Sequence, residues 1–210
     1  MGFQYLDTGA MYRAVALAFL REGVPFTEEA ARAFMPRVHL DLIPSNGELH
    51  VFLNGEDVTD AIRKPEIAHA ASRVSALRAV REALVEQQRR IARVFEERFG
   101  GVVVDGRDIG TVVFPDADVK LFMKADPEVR ARRRYEELKR KGLEVSFEEV
   151  LREIQMRDQR DVTRAISPLR KAPDAIELDT TNLSIEEQVQ FVLKQVQERL
   201  KNKGVQKNCT

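Results

Sequence analysis

The spacing of apolar residues along this chain changes several times, and each change marks an element. Gly2 to Leu6 predicts a short strand that opens directly on Asp7-Thr8-Gly9. From Ala10 to Arg21 the apolar positions Met11, Ala14, Val15, Ala18 and Phe19 recur at helical spacing, and Gly23 with Pro25 closes the run. Thr27 then caps a second short helix, with Ala30 standing where a glutamate would complete a capping box. Between Arg37 and Thr59 the period falls to two: Val38, Leu40 and Leu42 alternate with polar neighbours, as do Leu49, Val51 and Leu53. Asn46-Gly47 and Asn54-Gly55 are dipeptides that tolerate the positive φ angles of tight hairpins. This stretch therefore predicts a three-stranded antiparallel meander. Helices follow from Pro65 to Ser75 and from Ala79 to Phe99, the second ended by Gly100-Gly101.

Val102-Val103-Val104 has a different pattern, a short run of β-branched residues of the kind found in strands buried on both faces of a parallel sheet. It stops at Asp105-Gly106-Arg107-Asp108. Val119 to Met123 predicts a second such strand, followed by a basic helix from Pro127 to Lys141 that Gly142 breaks. Another helix starts near Ser146 and runs into Arg157-Asp158-Gln159-Arg160-Asp161. Ile176 to Asp179 gives a last strand, and Ser184 to Lys201 a last amphipathic helix. Strands alternating with helices make this an α/β protein with a parallel sheet. The expected organisation is a core of residues 1–36 and 100–201, including a helical lid at about 143–168, an insert at 37–99 and a tail at 202–210.

Composition narrows the function classes. Of 210 residues, 34 are Lys or Arg and 34 are Asp or Glu, so no net field draws the chain to nucleic acid or to an anionic membrane. Anion recognition must come from local clusters. The single cysteine, Cys209, excludes a disulfide framework and a cysteine metal site. None of the three histidines stands in a ligand spacing, so no side-chain metal site is expected. No apolar run approaches the length of a membrane span and no signal-peptide pattern opens the chain, which makes the cytoplasm the expected compartment.

The candidate chemistry lies in arginines and carboxylates at element ends. Ligands of open α/β sheets bind beyond the carboxyl ends of the strands, so Arg107 and Asp108 lie at a binding edge or in a charged turn with internal ion pairs. Arg13 and Arg81 also fall near helix starts or strand ends, in company with Ser72; each taken singly also reads as a surface residue. Arg157, Arg160 and Arg164 are spaced i, i+3, i+7 on one predicted helical face. Guanidinium forks match phosphate oxygens, so this row suits closure over phosphates, or else forms a solvated face laced with ion pairs. The helix with Arg130, Arg132, Arg133 and Arg134 alternates with Glu128, Glu136 and Glu137 and reads as such a solvated face. Gly101 and Gly106 have the G-x-x-x-x-G spacing of a phosphate loop, but strand residues lie between them and Arg107-Asp108 stands where Lys-Ser/Thr is required.

Three motifs together carry a resemblance. Asp7-Thr8-Gly9-Ala10-Met11-Tyr12-Arg13, Asp105-Gly106-Arg107-Asp108-Ile109-Gly110-Thr111-Val112-Val113-Phe114-Pro115 and Arg157-Asp158-Gln159-Arg160-Asp161-Val162-Thr163-Arg164 resemble the bacterial cytidylate kinases in order and spacing. The resemblance implies a P-loop kinase-like parallel sheet covered by helices, with the meander and its helices as a monophosphate-binding insert. It implies transfer of the γ-phosphoryl of ATP to CMP or dCMP with Mg²⁺, in a monomer that binds neither nucleic acid nor membrane. Carried over by position, Thr8 and Arg13 meet the monophosphate region, Ser72, Arg107 and Asp108 read the cytosine, and Arg81 binds the CMP phosphate. Asp161 and Arg164 bind the pentose hydroxyls, and Arg157 and Arg160 bridge the phosphates as catalytic, ATP-contacting lid arginines.

The family pattern places a strand, a G-x-x-x-x-G-K-[ST] loop and its helix, about 25 residues, ahead of the segment matching Gly2. A first central strand is therefore expected to be absent from the sheet, through a late start or a fragment, and catalysis by the chain as written is expected to be impaired. An alternative is a non-catalytic CMP-binding or regulatory module that has lost the ATP loop. A third reading is an RNA-binding protein that uses the basic helices.

Overall fold

Asp7 is the joint between the first strand and the first helix. Strand β1 (Gln4–Asp7) ends on it and helix α1 (Thr8–Arg21) begins after it. Its carboxylate accepts a hydrogen bond from the Ala10 amide at 2.9 Å, which satisfies one of the donors that every helix leaves unpaired at its start. The predicted helical stripe is the buried one: Met11, Ala14, Val15 and Phe19 are fully enclosed. The computed structural model describes residues 1–45, 47–202 and 204.

Helix α2 (Glu28–Phe34) starts at Thr27, whose hydroxyl accepts from the Ala30 amide at 3.3 Å. Strands β2 (Leu40–Ser45), β3 (Glu48–Leu53) and β4 (Glu56–Asp57) form the expected antiparallel meander. Register pairs Leu40 with Leu53 and Leu42 with Val51, so the buried alternating residues share one face. Asn54 and Gly55 turn the second hairpin with φ of 50° and 86°, the double positive that the Asn-Gly pair supplies. Asn46 of the first predicted turn lies outside the described residues, as do Cys209 and most of the predicted tail.

Helices α3 (Pro65–Val74) and α4 (Arg78–Phe99) follow, and Gly100 at φ 71° closes α4 in the left-handed conformation. Strand β5 (Val102–Asp105) pairs in parallel with β1, from Gln4 opposite Val102 to Asp7 opposite Asp105. One turn of π-helix, Ile109–Val113, leads on. Strand β6 (Leu121–Lys124), α5 (Pro127–Arg140), α6 (Phe147–Thr163), β7 (Ile176–Asp179) and α7 (Ile185–Asn202) complete the order, with β6 parallel to β7. Helix α6 starts at Ser146 with a capping box that the sequence reading did not single out: the Ser146 hydroxyl accepts from the Glu149 amide, and the Glu149 carboxylate accepts from the Ser146 amide. Two units result, Met1–Ile109 and Gly110–Thr210. The expected insert lies wholly within the first.

One expectation is corrected. The valine run predicts a strand covered on both faces, yet Val103 is 50% exposed, and Tyr5 and Met123 are comparably open. Among the described residues each parallel sheet has two strands, so β5 has β1 as its one strand neighbour and β6 has β7. The composition of the run is that of an interior strand, but burial depends on neighbours that composition does not specify.

Two stability outcomes follow from this packing. Gln88 on α4 is 1% exposed, and neither its amide nitrogen nor its oxygen has a hydrogen-bond partner. Replacing it with the similarly long, apolar Met removes that desolvation cost, so Gln88→Met should raise the unfolding free energy by about 1–3 kcal/mol in urea titrations. A loss of similar size would mean that the amide is satisfied. In the meander, Asp57 accepts from the Thr59 hydroxyl and amide at 2.6 and 2.9 Å and from His50 Nδ1 at 2.9 Å. These bonds, the Thr59 hydroxyl foremost, pull its carboxyl from 3.8 down to about 2. A lowered folded-state value stabilises the fold above the unfolded-state value and ceases to do so as pH falls through the folded one. The difference in thermal midpoint between the wild type and Asp57→Asn should therefore be constant above pH 4 and shrink towards pH 2; a constant difference down to pH 2 would rule out the linkage.

Candidate active site

The parallel register brings the first two motifs side by side. With Asp7 opposite Asp105, Thr8 lies against the loop after β5, and its hydroxyl donates to the Asp105 carbonyl at 2.6 Å. Gly106 allows this approach: a Cβ there would sit 2.5 Å from Thr8 Oγ1 and 2.7 Å from the Ile109 side chain. Arg13, one turn and a half into α1, donates to the second oxygen of Asp7 at 2.8 Å. The carboxylate that starts the helix therefore also holds its arginine.

Asp105 carries the opposite electrostatics. Removal of water from its carboxyl, and then the negative charge of Asp7 across the strand pair, push its pKa above the ordinary carboxylate value. The residue as a whole stays exposed, so the charge of Asp7 is the firmer of the two causes. The Tyr5 hydroxyl, hydrogen-bonded to Asp105, is pushed up as well, by burial first and by the carboxylates after it.

Arg81 and Asp108 form the buried centre. They are 3% and 6% exposed and make a short, charge-assisted hydrogen bond from Arg81 Nη2 to Asp108 Oδ2. Arg81 Nη1 donates to the Ser75 carbonyl at 3.0 Å, and its guanidinium lies 5.6 Å from the centre of the Tyr12 ring. The Ser75 hydroxyl in turn donates to the Ser72 carbonyl at 3.0 Å, which ties the end of α3 to the same network. Thr8, Arg13, Ser72, Arg81, Arg107 and Asp108 all belong to the first unit, and Arg107 is half-buried between Gly106 and Asp108.

The remaining four candidates belong to the second unit. Arg157 and Arg160 stand exposed on α6, the Arg160 Nε donating to the Met156 carbonyl of its own helix at 3.2 Å. Arg157 Nε lies 4.0 Å from Asp161 Oδ2. The predicted single face of three arginines is corrected. Helix α6 ends at Thr163, and Arg164 is its C-cap with extended backbone (φ −60°, ψ 140°). The Leu169 amide reaches back to the Asp161 carbonyl at 2.7 Å, folding the following segment over the helix end. Arg164 turns with it: Nε donates to the Ser167 carbonyl at 2.6 Å and Nη1 lies 3.6 Å from Asp161 Oδ1.

Sequence reasoning passed over several participants. Asp7 could have been found from its place before a helical run, where aspartate caps. Tyr12 had no distinguishing signal. Arg130, read as part of a solvated face, forks onto Asp158 at 2.6 and 3.1 Å and donates to the Ala125 carbonyl, which fixes α6 against α5. Asp158 thus serves α5 rather than the arginines beside it. Among the described residues no group of three or more His, Cys, Asp or Glu side chains is placed to hold a metal ion, and no helix is long and apolar enough to cross a membrane.

Parallel strands that deliver carboxylates and guanidiniums to their carboxyl ends, over a buried ion pair, define an α/β protein suited to an anionic ligand with a hydrogen-bonding edge. Residues 1–198 match the family model for cytidylate kinase. The cytidylate kinase of Salinibacter ruber is 55% identical over 194 residues, which is 92% of this chain and 86% of that protein. That of Carboxydothermus hydrogenoformans is 50% identical over 92% of this chain and 85% of its own length. That of Bacillus subtilis is 47% identical over 93% and 85%. The chain belongs to the cytidylate kinase family.

The buried pair generates a stability outcome. Arg81→Met leaves Asp108 without its countercharge and should cost about 3–5 kcal/mol of unfolding free energy, whereas adding Asp108→Asn should recover part of that loss. Chemical denaturation of the two single variants and the double variant gives the coupling; strictly additive losses would show that the two charges do not depend on each other.

Proposed function

We propose that this chain binds CMP or dCMP at the network built on Arg81 and Asp108, and that its family's reaction is transfer of the γ-phosphoryl of ATP to that nucleotide, giving CDP or dCDP. The observation that carries the reading is the buried Arg81–Asp108 pair at the end of β5. A carboxylate accepts at two oxygens and a guanidinium donates from five N–H groups, so each can hold the other and still meet a ligand. The cytosine edge offers an amino donor beside ring-nitrogen and carbonyl acceptors. Asp108 suits the donor, and Arg107 and the Ser72 hydroxyl suit the acceptors.

Arg81, with Arg13 and Thr8 at the start of α1, is assigned to the CMP phosphate, where guanidinium forks and a helix N-terminus favour anions. Asp161 with Arg164 is assigned to the pentose hydroxyls. Arg157 and Arg160 are assigned to the phosphates in flight, where catalysis depends on positioning and on neutralising charge. Mg²⁺ is the metal we assign to ATP, entering with its phosphates as part of the substrate. The cytoplasm, where ATP is made and a lone cysteine stays reduced, is the proposed compartment, and a monomer the proposed state. The alternative readings, a regulatory module without catalysis and an RNA-binding protein, gain no support from relatives whose names state a kinase.

Binding and transfer are best measured separately, because no stretch of the chain fits G-x-x-x-x-G-K-[ST]. Calorimetric titration should give CMP and dCMP binding, and Asp108→Ala should weaken both by about 1.5–3 kcal/mol, the worth of a hydrogen bond to a charged group, with ATP binding unchanged. With a G-x-x-x-x-G-K-[ST] segment joined ahead of Gly2, a phosphorus NMR assay should show CDP formation, and Arg157→Ala in that protein should lower kcat while KM for CMP moves little. Binding of AMP in preference to CMP would overturn the assignment.

A further inference from the structure

We infer that Glu28, on a helix none of the nucleotide assignments uses, is a positioning residue for Arg81. Helix α4 starts without a cap of its own: Leu77 has the extended backbone of a capping residue (φ −82°, ψ 128°) but no side-chain acceptor. Glu28, fifty residues earlier, fills that place. Its Oε2 accepts from the Arg78 amide at 2.8 Å and its Oε1 from the Ala79 amide at 2.9 Å. One carboxylate thus satisfies two of the four donors exposed at the helix start, where negative charge is also favoured by the helix dipole.

The clamp and the functional guanidinium occupy the same turn. The Arg81 amide makes the first i to i−4 bond of α4, to the Leu77 carbonyl at 3.1 Å. Its side chain then reaches back to Ser75 and across to Asp108. If the first turn frays, the backbone that aims Arg81 frays with it. Glu28 can hold that turn because α2 is itself anchored. Thr27 caps its start, and Phe34 packs edge-on against the fully buried Phe19 at 5.2 Å between ring centres. The side chain therefore transmits a fixed position from the α1–α2 platform to the base of α4.

This inference rests on the reading that Arg81 meets CMP, and the test separates the two. CMP and ATP affinities of the full chain are measured by calorimetry well below the melting temperature, beside a melt of each variant. Glu28→Ala should weaken CMP about tenfold, which corresponds to most of a strong cap's stabilising energy passing to the Arg81 geometry, and leave ATP unchanged. Adding Leu77→Asp gives α4 a local cap and should return CMP affinity to within about twofold of wild type. Glu28→Gln, which keeps one acceptor, should fall between and serves where the alanine variant does not fold. Thr59→Val, which destabilises the meander, is the control: an equal loss of melting temperature with CMP affinity intact shows that stability alone does not move the readout. Weakening of CMP and ATP alike, or a melt restored by Leu77→Asp without restored CMP affinity, overturns the positioning role. If Arg81→Ala weakens CMP and Glu28→Ala does not, this inference alone fails. If Arg81→Ala binds CMP normally, the reading of Arg81 fails and takes the inference with it.

Discussion

A guanidinium and a carboxylate taken out of water together constrain the first unit more tightly than any apolar contact in it. Neither Arg81 nor Asp108 can be buried alone, because an unpaired charge in a low-dielectric interior costs several kcal/mol. Their meeting therefore fixes what lies on either side. Helix α4 has to begin at Arg78 for Arg81 to point at the end of β5, and β5 has to end at Asp105 for Asp108 to be there. Gly106 has to lack a side chain, because the Thr8 hydroxyl occupies the space where a Cβ would stand. Buried ion pairs add little net stability, yet they exclude arrangements in which the charges miss each other. Here the excluded arrangements are those that would part the end of β5 from the first turn of α4.

The strand ends beside this pair show the complementary strategy. Asp7 and Asp105 face each other across a parallel register, an arrangement that adds to loss of water in raising the Asp105 pKa. Two cations answer it. Arg13 is bound directly to Asp7, and the charges of Arg107 and Arg13 oppose the rise at Asp105. A chain with no net charge has thus gathered two carboxylates and two guanidiniums at one strand edge. The anionic ligand proposed for this edge would meet positive charge already oriented by its own counterions, with little side-chain freedom left to lose on binding.

Local chemistry was legible in the sequence, and long-range chemistry was not. The alternation of Leu40 and Leu42 with their polar neighbours, the Asn54-Gly55 turn, the Thr27 cap and the helix start near Ser146 each depend on residues a few places apart, and each forms as the pattern predicts. The motifs also single out residues that the fold gathers, since Thr8, Ser72, Arg81 and Asp108 lie in one unit. What failed depended on distant partners. Val103 carries the side chain of an interior strand, but its burial is set by what lies over it. Arg164 keeps helical spacing with Arg157, but the backbone leaves the helix first, because the Leu169 amide claims the Asp161 carbonyl. Arg130 reads as a solvated surface charge and Glu28 carries no signal of its own, since a periodicity cannot show that an arginine will fork onto the next helix or that a carboxylate will cap a helix fifty residues away.

The two sets of candidate residues differ in environment in a way that matches the work assigned to them. Arg81 and Asp108 are shielded from solvent, so their interactions keep their strength at any salt concentration and their geometry is held by packing. Such groups discriminate, because a ligand that fails to satisfy them leaves buried polar atoms unpaired. Arg157 and Arg160 stand in solvent on α6, where each charge is screened within about 8–10 Å at ordinary ionic strength. There they contribute little to binding strength. In the proposed role, their charge would become effective when a multiply charged phosphate group excludes the water around them, which is when negative charge is being moved. Arg130 and Asp158 give that exposed row the rigidity that burial gives the first set, by fixing the helix rather than the individual arginine. On the proposed assignments, selectivity would rest on buried charge that is present from the start, and phosphoryl transfer on exposed charge carried by a braced helix.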